Sequence, residues 1–138
     1  MKILKQIAGV DVAKDELVAS FGRIKENFEK EIISFQIFDN SKKGFGQFIK
    51  WVEKMKDPDV NVQIVMQATG VYHQKFAYFL TDHQQQVVIV LPNKISNYAR
   101  SLNIKTITDK TSSQAICWFG LDRKLDNWEK PQKNLSVL

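Results

Sequence analysis

Between Ile3 and Phe38 the apolar residues come in strand-like runs, and from Ser41 onward they return at helical spacing. A strand sends successive side chains to opposite faces, whereas a helix brings every third or fourth residue to one side. The change of period divides the chain into a leading block of strands and a following block where helices enter. Residues Ile3 to Val12 are mostly apolar and β-branched and run into Gly9-Val10-Asp11, which reads as a buried strand with a carboxylate near its C-terminal end. Glu16 to Ile24 and Glu29 to Phe38 read as the second and third strands, with Asp15 and Glu16 at the first turn and Lys25 to Asn27 at the second. Short turns between three consecutive strands predict an antiparallel meander.

Asp39, Asn40 and Ser41 are suited to cap a helix, and Phe45, Phe48, Ile49, Val52 and Met55 follow at helical spacing until Asp57-Pro58-Asp59 stops them. Val60 to Met66 is a short apolar strand, expected at the centre of the sheet and broken by Thr69-Gly70. Val71 to Asp82 reads as a helix, Gln86 to Leu91 as a buried strand ended by Pro92, and Ile95 to Leu102 as a short helix. Asp109 to Leu121 reads as the last helix, and the polar residues from Asp122 onward as an irregular tail. The order β-β-β-α-β-α-β-α-α predicts an α/β fold, a mixed sheet covered by helices. It is the ribonuclease-H-like order, with residues 1–121 as the domain and 122–138 as a polar tail.

A chain of 138 residues fits one compact domain. Its net charge of +5 favours polyanionic partners. The single cysteine, Cys117, excludes an intrachain disulfide and fits a reducing cytoplasm. The N-terminus becomes charged too early for a signal peptide, and no apolar run approaches the roughly 20 residues that span a bilayer. These features predict a cytoplasmic protein without a membrane partner.

Candidate chemistry starts with Asp11 and Asp109. Taken alone, each has a bland reading: Asp11 caps the turn after its strand, and Asp109 caps the last helix. The alternative makes both of them metal ligands. Gln67 would project from the end of its strand beside the first one, and Lys94, Arg100, Lys105 and Lys110 crowd the second half of the same region. Those four cations are either a solvated helix face or a grip on nucleic-acid phosphates. His73 reads as a cap or surface residue, with a nucleic-acid contact as the alternative, and His83 as solvated. Neither histidine has a partner at zinc-ligand spacing. Cys117 and the three tryptophans Trp51, Trp118 and Trp128 read as packing residues.

Four ordered segments carry a more specific signal: GVDVAKDELVAS, VMQATGVYH, VLPNKISNYARSL and KTITDKTSSQAI. Together they resemble the N-terminal domain of the RuvC-like DEDD transposases, the insertion-sequence transposases related to Piv-type DNA invertases. The resemblance spans nearly the whole chain. It implies a site like that of Holliday-junction resolvases, in which Asp-Glu-Asp-Asp carboxylates hold two divalent ions, usually magnesium. On the family patterns E-A-T-G-x-Y and K-T-D-K-x-D-A, the four site positions fall on Asp11, Gln67, Asp109 and Ser112. Ser113 stands where the family has alanine.

Two of the four positions are therefore not acidic. Magnesium prefers hard, anionic oxygen ligands, and Asp11 and Asp109 supply half the carboxylates that would balance two divalent ions. The resemblance thus implies DNA strand cleavage and transfer in transposition, and the departures at 67 and 112 predict weak or absent magnesium and impaired cleavage. It also implies a serine nucleophile in a C-terminal domain, a homo-oligomer of the full-length protein, and a structured guide RNA as a partner beside DNA. The competing reading is an inactive nucleic-acid-binding or oligomerisation module. A third, an actin-like nucleotide-binding domain, lacks a glycine-rich phosphate loop after the first strand, where Asp11-Val12-Ala13-Lys14 stands.

Overall fold

The computed structural model describes residues 2–68, 70–101 and 109–131, with the backbone alone at 109 and 110. The order of elements is the expected one: β1 (Ile3–Val12), β2 (Glu16–Lys25), β3 (Lys30–Asp39), α1 (Lys42–Met55), β4 (Val62–Gln67), α2 (Gln74–Asp82), β5 (Gln86–Val90), α3 (Pro92–Ser101) and α4 (Asp109–Asp122). They build a five-stranded mixed sheet of order β3-β2-β1-β4-β5. β1 pairs antiparallel to β2 and β2 to β3, β4 pairs parallel to β1, and β5 pairs parallel to β4. β1 is the middle strand, with the predicted central strand β4 beside it.

Each strand end has a local cause. Ser41 caps α1, its hydroxyl accepting from the Gly44 amide at 3.2 Å. Asp57 turns the chain after α1, its carboxylate accepting from the Asp59 amide, so β4 begins at Val62, two residues later than expected. Phe28 adopts a left-handed conformation with φ of 65°, which delays β3 to Lys30. Gly70 has φ of 58°, and residues 71–73 form a turn rather than the first turn of α2. Pro92 does not simply end β5; it opens α3, where its missing N–H costs nothing. Thr69, Leu102 and the end of the tail lie outside the described residues.

Alternation along the strands divides the core between the two faces. Ala8, Val10 and Val12 of β1, with Leu17, Phe21, Ile64 and Met66, face α1 and α2. Phe48 centres an aromatic cluster there, 5.1 Å from Phe76 and 5.6 Å from Phe38 by ring centroids. Ile7, Val65, Val88 and Val90 face α3 and α4, meeting Ile95, Ala115, Ile116 and Phe119. Trp51, Trp118 and Trp128 pack against these two cores, and Cys117 is fully buried, its thiol pushed up to about 12 by burial. The irregular segment after α4 is docked: the Trp128 amide donates to the Val87 carbonyl of edge strand β5 at 2.6 Å.

α4 packs against β1 at backbone-contact distance. A Cβ on Gly9 would lie 2.4 Å from the Cys117 backbone nitrogen and 2.8 Å from the Ser113 carbonyl. Gly120 plays the reciprocal part on the helix, where a Cβ would meet Ile7 at 2.8 Å. Lys5 secures the far end of α4, donating to the Arg123 carbonyl at 2.6 Å. Among the described residues no helix is long and apolar enough to cross a membrane. Gly9→Ala must push α4 off the sheet, and overpacking of this kind costs about 3 kcal/mol. Urea denaturation is expected to show that loss, whereas Gly46→Ala, whose Cβ meets nothing within 4 Å, stays within about 1 kcal/mol of the unchanged protein or above it.

Candidate functional site

Three elements bring their ends to one place. Asp11 lies on the α4 face of β1, two residues beyond Gly9 on the alternation that includes Ile7. Two strand residues rise about 6.6 Å. Ser113 sits over Gly9, and one turn back toward the helix start, about 6 Å, is the backbone of Asp109. The β1 carboxylate and the first turn of α4 are therefore level with each other at the C-terminal end of the strand. The parallel ladder between β1 and β4 runs to the pair Val10–Met66, and Asp11 and Gln67 follow it on the two strands.

Gln67 points to the same face as Val65. It lines a cavity of about 180 Å³ with Ile95, Ser96 and Ala99 of α3 and Thr111, Ser112 and Ala115 of α4. Asp11, Gln67 and Ser112 thus share one end and one face of the sheet. Asp11 is half-buried and has an interaction partner. The side chain of Asp109 lies outside the described residues, as do that of Lys110 and the whole of Lys105. Among the described residues no three His, Cys, Asp or Glu side chains gather closely enough to hold a metal ion. The polar groups facing this cavity are an amide and hydroxyls.

The basic residues divide differently from the sequence reading. On α3, Arg100 is one turn from Ser96, which lines the Gln67 cavity, but Arg100 is exposed and is not one of the lining residues. Lys94 lies on another side of the helix and lines a separate groove with Phe119 and Arg123. The structure does not join Lys94 and Arg100 in one cluster.

Two buried polar features beside the site were not legible in the chain. Ser113 is fully buried, and its hydroxyl is 2.8 Å from that of Ser20 on β2, the residue paired with Gly9. The serine that replaces the family's alanine therefore has a hydroxyl to meet. His73 does occupy the cap position of α2, but its side chain makes no capping bond and is not at the surface: it is 8% exposed, and its Nδ1 has no hydrogen-bond partner. Val71 and Tyr72 take the exposed positions instead, 65% and 46% accessible. Asn40 braces this turn against the β1–β2 hairpin, donating to the carbonyls of Ala13 at 2.7 Å and Tyr72 at 3.2 Å.

Both features have measurable consequences. Ser20→Ala or Ser113→Ala alone removes one side of this buried hydrogen bond and is expected to lower stability by about 1–2 kcal/mol, with the double variant losing less than the sum. Chemical denaturation of the four proteins checks this. Burial holds the His73 pKa below the 6.5 of a solvated imidazole. The unfolded chain therefore takes up the proton first as pH falls, so the neutral imidazole's stability is fully present above pH 6.5 and is lost on acidification toward the lower folded value. The thermal midpoint is expected to drop between pH 7.5 and 5.5, and to drop less in His73→Gln; equal slopes would remove His73 as the cause.

Comparison with known proteins accords with this architecture. The Thermus thermophilus RuvC structure superposes with a TM-score of 0.61 at 9% identity, covering 89% of this chain and 99% of that one. The yeast mitochondrial Holliday junction resolvase superposes at 0.58 with 11% identity, covering 85% and 79%. These likenesses establish a RuvC-like, ribonuclease-H-like fold. In sequence, the pilin gene-inverting proteins of Moraxella bovis and Moraxella lacunata are each 29% identical over 130 residues, 94% of this chain. The chain spans 38% of the length of those relatives. A family model of the DEDD type described as "Transposase" matches residues 8–138, and the chain accordingly belongs to the IS110-type DEDD transposase family.

Proposed function

We propose that this domain supplies the phosphodiester-processing end of a DNA transposase or recombinase, and that in this chain the end binds divalent ions weakly. The observation that carries the reading is the shared cavity of Gln67 and Ser112 at the sheet end where Asp11 stands. Family membership supports recombination as the process, and the RuvC structure solved with a Holliday junction substrate supports DNA as the partner. Asp11 and Asp109 are the acidic ligands in this proposal, and Gln67 and Ser112 hold the positions of the other two. Arg100, exposed one turn along α3 from the cavity residue Ser96, would contact the phosphates of DNA entering there.

The donor set does not fit two magnesium ions. An amide oxygen and a hydroxyl coordinate without supplying charge, and two carboxylates leave half the charge of two divalent ions unbalanced. The same substitutions support the second reading, a nucleic-acid-binding module whose metal site has lapsed. The serine nucleophile, the guide RNA and the homo-oligomer are carried over from the family to the full-length protein. A cytoplasmic location belongs to the proposal as well.

Restoring the acids discriminates. Calorimetry of Gln67→Glu/Ser112→Asp is expected to show magnesium binding at millimolar concentration that the unchanged chain lacks. Tight uptake of two ions by the unchanged chain would overturn the proposed weakness. Equal, negligible binding by both proteins would show the ligand positions to be misassigned.

A further inference from the structure

On the flank of α3 away from Gln67, an open groove of about 480 Å³ runs between α3 and the end of α4. Lys94, Asn97 and Ser101 line it from α3, and Arg123 and Lys124 from the residues that follow α4. Positions 94, 97 and 101 recur at helical spacing, so α3 presents one polar stripe to the groove, with Lys94 and Asn97 as its donors and the Ser101 hydroxyl donating to the Tyr98 carbonyl. Elsewhere on the molecule Arg23, Lys25, Lys30, Lys56 and Lys130 are paired with carboxylates. Lys94, Arg123 and Lys124 have no carboxylate partner among the described residues. The nearest acid in sequence, Asp122, is taken by Lys30 and by the Tyr98 hydroxyl. Asp126 lines the adjoining cavity along β5, which shares Lys94, Phe119 and Leu125 with this groove, and makes no salt bridge with Lys94.

The groove is also held in shape. The Arg123 guanidinium sits over the Phe119 ring at 5.7 Å from its centroid, and the Arg123 amide donates to the Phe119 carbonyl at 3.1 Å. Tyr98 packs edge-on against Phe119 with centroids 5.6 Å apart. Three cations that make no salt bridge among the described residues, on a braced wall, form a surface that a polyanion neutralises.

We infer that this groove binds the phosphodiester backbone of a nucleic-acid duplex, as a contact separate from the Gln67 cavity. Ser112 and Asp122 are ten residues apart on α4, about 15 Å along the axis. A duplex rises 3.4 Å per base pair along each strand, so the two contacts are roughly four to five base pairs apart. The groove grips flanking backbone while the sheet end faces the reacting phosphate. It carries no base-reading geometry, and its contribution is sequence-independent. This contact requires no metal.

The test is salt-dependent binding of short labelled DNA and RNA duplexes to the full chain, with a chelator present. Each cation that meets a phosphate contributes about 0.9 to the slope of log affinity against log salt. Lys94→Gln/Arg123→Gln/Lys124→Gln is expected to reduce that slope by about 2.7. Lys42→Gln/Lys43→Gln/Lys50→Gln on exposed α1 removes the same charge and is expected to change it by less than about 1. If the triple groove variant fails to fold, Lys94→Gln/Lys124→Gln alters two exposed side chains and is expected to remove about 1.8. A reduction with DNA or with RNA supports the groove and says which duplex it holds. Equal losses from both triple variants, an unchanged slope, or no binding by the unchanged chain would overturn it. None of these outcomes depends on the magnesium result, so the two readings fail separately.

Discussion

The seat of α4 on Gly9 governs the rest of the arrangement. The helix backbone comes so close to β1 that a single Cβ would collide with it, and Gly120 lets Ile7 approach from the other side. Packing at this distance fixes the helix along its axis as well as its height, because interdigitated side chains resist sliding. Cys117 adds a weak thiol contact to the Ile7 carbonyl at 3.5 Å, and Lys5 ties down the helix end. With α4 fixed on the central strand, its first turn has only one place to be: above the C-terminal end of β1, where Asp11 emerges. The parallel entry of β4 then brings Gln67 to the same edge. A site assembled from three distant stretches of chain rests on one glycine contact.

The polar residues around that contact sort by whether they face protein or cavity. Ser20 and Ser113 face each other under the helix and satisfy one another. Gln6, also buried, binds the loop before β4 through both ends of its amide, donating to the carbonyls of Asp57 and Val60 and accepting from the Asp57 amide at 2.6 Å. Such groups stabilise because leaving them unpaired in the core would be costly. Gln67 and Ser112 face open volume instead. Among the described residues no hydrogen-bond partner is seen for their side chains.

Much of the fold was legible in the chain because its signals are local. The β-branched run of Ile3 to Val12, the Ser41 cap and the apolar spacing of Phe45, Phe48 and Val52 each act within one element. The failures were at boundaries where a single residue overrides the pattern. Phe28 and Gly70 take positive φ and shift the starts of β3 and α2. Pro92 reads as a stop until its fixed φ is seen serving the first turn of α3. His73 looked like a surface residue because nothing in its neighbours announces that Val71 and Tyr72 turn outward in its place.

The sequence by itself determined the element order and the family, and it offered four candidate site positions, two of them without a carboxylate, since motifs and periodicity are properties of short stretches. Tertiary structure decided which stretches meet. Only the register of β1 with β4 and the depth of α4 put Asp11, Gln67 and Ser112 at one edge. Only the facing of α3 separated Lys94 from Arg100 and joined it instead to Arg123 and Lys124, some thirty residues on. Charge clusters in a sequence are ordered along the chain, but a partner meets them in space, and helix rotation and packing depth are set by contacts between residues far apart in sequence.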